Sequence, residues 1–166
     1  GRRDAVEVVV NTLLEDEYDF VCNRLPPPWH RTYPIGLDVE ACTFKVLAKA
    51  WKEAKEPQHR EHAMPYFYEG VELTRQSRTL ETGTSPRGYN IALLQHTTDF
   101  GDYRWTVDTP EDLEFMRQVY TRVDGRDDFS WMEVLDLVHN EPQLMQINAN
   151  VKHKTLKDID ERATDN

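Results

Sequence analysis

Val6, Val9, Val10, Leu13 and Leu14 recur every three or four positions, a spacing that predicts an amphipathic helix at the start of the chain. Asp4, with Glu7 three residues on, supplies a capping pair for it. The β-branched valines suit a strand as well, which weakens the helical signal. Residues 18–23 (YDFVCN) read as a short buried strand. Pro26, Pro27 and Pro28 then force a loop, because a proline cannot donate to a ladder. The loop continues through residues 33–37, and residues 37–41 form a second strand candidate.

Thr43 caps the clearest helix, with Phe44, Leu47, Ala48 and Trp51 as its buried stripe and Lys45, Lys49, Lys52 and Glu53 on the solvated side. Residues 56–62 break it and begin a short helix, followed by Met64, Tyr66 and Phe67 as core residues. Partial alternation predicts a strand over 71–80, and residues 81–88 (ETGTSPRG) read as a flexible connector. Strands are expected over 89–95 and 103–107. Thr109 caps the next helix, with Pro110 in its first position, Asp112 as box partner, and Leu113, Met116, Val119 and Tyr120 on the buried face. Ser130 and Glu133 form a second box leading into Trp131, Val134, Leu135 and Val138, and Pro142 closes that helix and starts a shorter one. The tail from Val151 is polar. Helices and strands alternate and the chain ends in helices, the order of an α/β domain rather than a bundle or a sandwich.

Charge narrows the partners. Twenty Lys and Arg against thirty Asp and Glu give 20 − 30 = −10, which disfavours nucleic acid or an anionic membrane as the main partner. A nucleotide would need a divalent cation or a local basic loop. Cys22 and Cys42 lie in apolar stretches without metal-ligand spacing, as buried thiols do in a reducing compartment. No segment has the apolar length of a membrane span and no signal peptide is visible, so a cytoplasmic protein is expected.

Candidate chemistry centres on Asp108, between the strand expected over 103–107 and the helix capped by Thr109. Open α/β sheets place ligands at that carboxyl edge, and a carboxylate there can hold Mg²⁺ against phosphate oxygens. Acidic residues also favour a helix start, and spacing alone favours that capping role. Asp38 and Glu40 follow a glycine-containing loop and read equally as site residues or a solvated turn. His62 sits between short helical segments, where packing or capping accounts for most histidines. Arg104 precedes Asp108 on the expected strand and has the charge to pair with a substrate carboxylate or an internal acid.

Residues 104–114 (RWTVDTPEDLE) resemble the C-terminal signature of the cytidylyltransferase family of the spore-coat polysaccharide type, related to the synthetases that activate 3-deoxy-octulosonate and sialic acids with CMP. Residues 31–40 (RTYPIGLDVE), 60–66 (REHAMPY), 129–131 (FSW) and 147–149 (INA) are similar to the same branch, in the same order, so the resemblance covers most of the chain. It implies a Rossmann-like nucleotide-diphospho-sugar transferase sheet with helices on both faces and with the N-terminal nucleotide-binding units missing. It divides the chain into residues 1–123, the C-terminal part of that α/β domain, and residues 124–166, a helical extension and tail.

The same resemblance implies an activity: CTP and a sugar or sugar acid give a CMP-sugar and pyrophosphate, for surface polysaccharide biosynthesis. Asp108 is then the catalytic Mg²⁺ ligand, Asp38, Glu40, His62 and Arg104 bind substrate, and the enzyme is a homodimer. The sequence departs from the family in one respect. No basic glycine-rich phosphate loop and no second metal-binding turn are present, so the chain is expected to begin after that turn and to be inactive alone. Three rivals follow: a non-catalytic sugar-binding or dimerisation module, an interaction domain that packs on a separate N-terminal piece, and a hydrolase using Asp38, Glu40 and His62.

Overall fold

The computed structural model describes residues 5–151, so the cap expected of Asp4 and the tail after Val151 lie outside the described residues. Two compact units divide the chain, Gly1–Thr106 and Val107–Asn166.

The first unit is built on a five-stranded mixed sheet in the order β2-β1-β5-β4-β3. Its strands are β1 (Phe20–Cys22), β2 (Glu40–Cys42), β3 (Thr74–Arg75), β4 (Leu80–Thr84) and β5 (Asn90–Leu94). β1 runs parallel to β5, with Val21 opposite Ala92, and antiparallel to β2, with Val21 opposite Ala41. β4 lies antiparallel to both β5 and β3. The two central strands are apolar on both sides, as strands covered on both faces must be.

Phe20, Cys22, Ile91 and Leu93 face an aromatic core with Phe67, Tyr68 and Tyr89. Phe20 and Phe67 stack with ring centroids 5.5 Å apart. Helices α2 (Phe44–Glu53), α3 (Pro57–Glu61) and α4 (Pro65–Tyr68) follow β2 in sequence, and Ala50 of α2 and Phe67 of α4 are buried in this core. Val21, Ala92 and Leu94 face the other way, onto Val9 and Leu13 of α1 (Ala5–Glu15). Helices therefore cover both faces, as expected.

Several elements differ from the sequence reading. β2 starts at Glu40 rather than at residue 37, because the Asn23 side chain takes the backbone of Leu37 and Val39 before the ladder begins. The segment 81–84, read as part of a connector, is the body of β4, and only Thr74–Arg75 of the expected strand over 71–80 pairs with it. Gly83 makes that hairpin possible, since a Cβ there would stand 2.1 Å from the Glu72 carbonyl oxygen.

Residues 103–107 do not form a strand. A single parallel bridge joins Arg104 to Ile35. Gly36, at φ +104°, lets the chain pass so close that a Cβ would lie 2.7 Å from the Thr106 nitrogen. Helix α2 is capped by Thr43 as expected, but its Phe44 is 84% and its Trp51 64% exposed. Its apolar stripe is thus only partly buried: Ala50 lies in the core, with Val46 and Leu47 against it.

In the second unit, α5 (Pro110–Arg122) and α6 (Trp131–Asn140) each begin with a complete capping box, on Thr109 with Asp112 and on Ser130 with Glu133. A 3-10 turn, Pro142–Gln146, follows the proline that ends α6. The buried face of α5 is Asp112, Phe115 and Val119, while Leu113 and Tyr120 are exposed. The expected stripe was displaced because buried Asp112, spent on the helix start, turns its own side of the helix inward.

Candidate functional site

The parallel pair β1–β5 ends in two amides, Asn23 and Gln95, and open α/β sheets bind ligands beyond such carboxyl ends. Asn23 is buried. Its Nδ2 donates to the Leu37 carbonyl at 2.8 Å and its Oδ1 accepts from the Val39 amide at 2.8 Å, so both residues flanking Asp38 are fixed. Gln95 is also buried. It accepts from the Thr32 hydroxyl at 2.7 Å and donates to the His30 carbonyl at 3.2 Å, fixing both neighbours of Arg31. Its Nε2 also donates to Glu81.

The loop held at these points presents a charged cluster. The Arg31 guanidinium donates to both carboxylate oxygens of Asp38, at 2.5 and 3.2 Å. Glu40 opens β2, and removal of water from around its carboxyl pushes its pKa up; the Arg24 charge opposes this and Asp38 adds to it. Tyr68 is pushed up to about 12 by burial first and by Glu40 second. On the far side of the loop, His30 meets Asp99 at 2.6 Å. The Gly101 amide and His30 hold the Asp99 carboxyl below the usual range.

The structure therefore brings Asp38 and Glu40 together, with Arg24 and Arg31 as their cations. Both arginines went unnoticed in the sequence as site residues, although Arg31 stands inside the RTYPIGLDVE stretch and Arg24 directly follows Asn23. His62 ends α3, where its amide donates to the Gln58 carbonyl at 2.8 Å. No group of three or more His, Cys, Asp and Glu side chains converges among the described residues, so Asp38, Glu40 and His62 do not form one. Arg104 is buried, with its backbone in the bridge to Ile35.

Asp108 belongs to the second unit, one residue before the α5 cap. Its amide donates to Asp112 Oδ2 at 3.1 Å. Asp112 also accepts from the Thr109 amide at 3.1 Å and, through Oδ1, from Asn148 at 3.0 Å. Capping thus accounts for Asp112, as expected, and Asp108 is, like Glu111, an exposed carboxylate of the motif. Mg²⁺ is commonly held by one or two carboxylates, with phosphates and water completing the octahedron, and the Asp108 donor fits that limited demand.

No family model matches the chain. It is 28% identical over 158 residues to the uncharacterized protein MJ1063 of Methanocaldococcus jannaschii, covering 95% of this chain and 56% of that one. Its structure is similar to that of a cytidylyltransferase from Leptospira borgpetersenii serovar Hardjo-bovis, with a TM-score of 0.67 and 23% identity over 89% of this chain and 54% of that one. The chain spans just over half the length of each relative. The likeness establishes the fold as α/β, with the Rossmann-like architecture of that cytidylyltransferase. No helix among the described residues is long and apolar enough to cross a membrane.

Proposed function

We propose that this chain acts in a nucleotidyltransferase that activates a sugar or sugar acid with CTP, giving a CMP-sugar and pyrophosphate for surface polysaccharide biosynthesis. The observation that carries this reading is the likeness to a cytidylyltransferase over 89% of the chain, on top of the RWTVDTPEDLE resemblance. The charged loop beyond the parallel strands adds support, since it stands where such sheets take ligands.

In the reaction a sugar hydroxyl oxygen bonds to the α-phosphorus of CTP. The bond from that phosphorus to the oxygen bridging the α- and β-phosphates breaks, pyrophosphate leaves, and the hydroxyl proton passes to solvent. Such transfers depend on positioning and charge neutralisation. Asp108 would hold Mg²⁺, which supplies positive charge to the phosphates when bound. Asp38, Glu40 and His62 would shape the acceptor site, Arg31 fixing the orientation of Asp38. Arg104 would meet the carboxylate of a sugar acid or an internal acid. The homodimer belongs to the same proposal.

Pyrophosphate release by the intact enzyme that contains this chain, from CTP, Mg²⁺ and a panel of sugars, tests the reading. Asp108→Asn is expected to lower release ~100-fold or more while the melting temperature stays unchanged. Near-normal turnover by that variant would remove the metal role. The second reading is a non-catalytic sugar-binding or dimerisation module, in which Asp38 and Glu40 on the loop held by Asn23 supply contacts but no transfer takes place. Calorimetry of the intact protein that contains this chain separates the two: sugar binding without any CTP and Mg²⁺ binding would establish the module.

A further inference from the structure

Helix α2 turns part of its apolar stripe to solvent. Phe44 and Trp51, two turns apart, are its most exposed apolar side chains, and between them and α3 runs a groove of about 330 Å³. Alanines 48, 50, 54 and 63 leave its floor low, and Tyr66 contributes to the wall. The Trp51 ring is not loose, because the Arg60 guanidinium lies 3.8 Å from its centroid. Behind the wall, buried His59 is fixed by both Glu69 carboxylate oxygens, at 3.0 and 3.1 Å. A shallow apolar trough with an aromatic side chain at each edge receives side chains from another surface, as helix-binding grooves do.

The charge around the groove runs against that of the chain. Lys45, Lys49, Lys52, Lys55 and Arg60 face only Glu53 and Glu56 over residues 44–60, inside a chain of net charge −10. Lys49 is engaged, with Glu53 at 4.0 Å and over the Tyr89 ring. Lys45, Lys52 and Lys55 take part in none of the ion pairs among the described residues. An exposed apolar trough with Lys52 in its lining, and with Lys45 and Lys55 exposed on the same stretch of chain, selects for a partner that is apolar in the middle and acidic at its edges.

We propose that this groove docks an acidic amphipathic helix of a partner protein, its apolar side chains entering between Phe44 and Trp51 and its carboxylates meeting Lys45, Lys52 and Lys55. A concave, alanine-floored trough favours this occupant over an anionic bilayer, which would seat a convex apolar ridge instead. The inference is independent of the catalytic reading.

The test uses a fluorescein-labelled amphipathic peptide with glutamates on one face and leucine and phenylalanine on the other. Its controls are the same peptide with every Glu replaced by Gln, and vesicles of phosphatidylcholine with phosphatidylserine. Anisotropy is expected to show saturable binding of the acidic peptide, ~tenfold tighter than the Gln form, and weakened on raising salt from about 0.05 to about 0.3 M. Trp51→Ala and Lys52→Glu, both at exposed positions, should each weaken it ~tenfold with an unaltered thermal melt. Equal binding of the two peptides, no binding of either, or indifference to both substitutions overturns the proposal. Sedimentation of the chain with the vesicles, when the acidic peptide does not compete, also overturns it and assigns the groove to a membrane surface.

Discussion

Two carboxylate pairs lie within a few residues of a glycine- or proline-marked turn, Asp108 with Asp112 and Asp38 with Glu40, and in the sequence only Asp112 of these four reads as a capping-box partner. In the structure they divide sharply. Asp112 is fully buried and accepts from two backbone amides and the Asn148 side chain, so donors surround its charge and the fold uses it up. Asp38 and Glu40 instead stand beside each other at a loop held by Asn23, and loss of water pushes Glu40 up, with Arg24 opposing the rise and Asp38 adding to it. A carboxylate saturated by backbone donors supports structure. One that loses water beside a like charge is held in a state that a ligand or cation would relieve.

The largest expected effect follows from the saturated carboxylate, Asp112. Asp112→Ala strips the α5 capping box of its return bonds and leaves Asn148 without that acceptor, at a cost of ~3 kcal/mol. Urea unfolding followed by circular dichroism reads this directly. A midpoint equal to that of the parent would remove Asp112 from the structural side of the comparison. Next in size, Asn23→Leu removes two buried hydrogen bonds to the loop that carries Asp38, for ~2 kcal/mol. Amide exchange at Val39 should accelerate in that variant, and an unchanged rate would show that the loop holds itself.

Much of this division was legible in the chain. Thr109, Pro110 and Asp112 announce the start of α5, and Ser130 with Glu133 that of α6, because capping chemistry is local and leaves a local mark. The central strands were equally visible, as apolar runs too short for helices. What stayed hidden depends on contacts distant in sequence. Arg31 and Asp38 are clamped by Gln95 and Asn23, and the Gln95 bond to Thr32 spans 63 positions. Residues 103–107 have the composition of a strand, yet the Gly36 turn admits only one bridge at Arg104. The α2 stripe misled for a related reason: periodicity marks an apolar face but does not say whether this chain or another molecule covers it.

A smaller effect sharpens the second pair. Asp38→Asn keeps the side-chain shape but removes the charge facing Arg31 and Glu40. With Asp38 exposed but Arg31 largely covered, the expected cost is ~1 kcal/mol. The informative readout is Glu40 itself, whose pKa should move down once the like charge is gone, measured by carbon NMR of the labelled carboxyl. An unmoved value would leave desolvation as the entire cause.

The smallest effect carries the clearest sign. Folding raises the Glu40 pKa, so between the unfolded value, about 4.3, and the raised folded value the native state binds more protons than the unfolded one. Stability contributed by this group is therefore unaffected below the unfolded value and is lost as pH climbs through the folded one. Glu40→Gln removes the titration and should make the chain more stable than the parent at neutral pH, with the two melting together in acid. Because Glu40 remains an exposed residue, water screens much of the effect, and the gain at pH 7 should be only ~1–2 °C. A parent that melts above the variant at pH 7 would mean that Glu40 is stabilised by its surroundings, as Asp112 is, and the contrast between the two pairs would disappear.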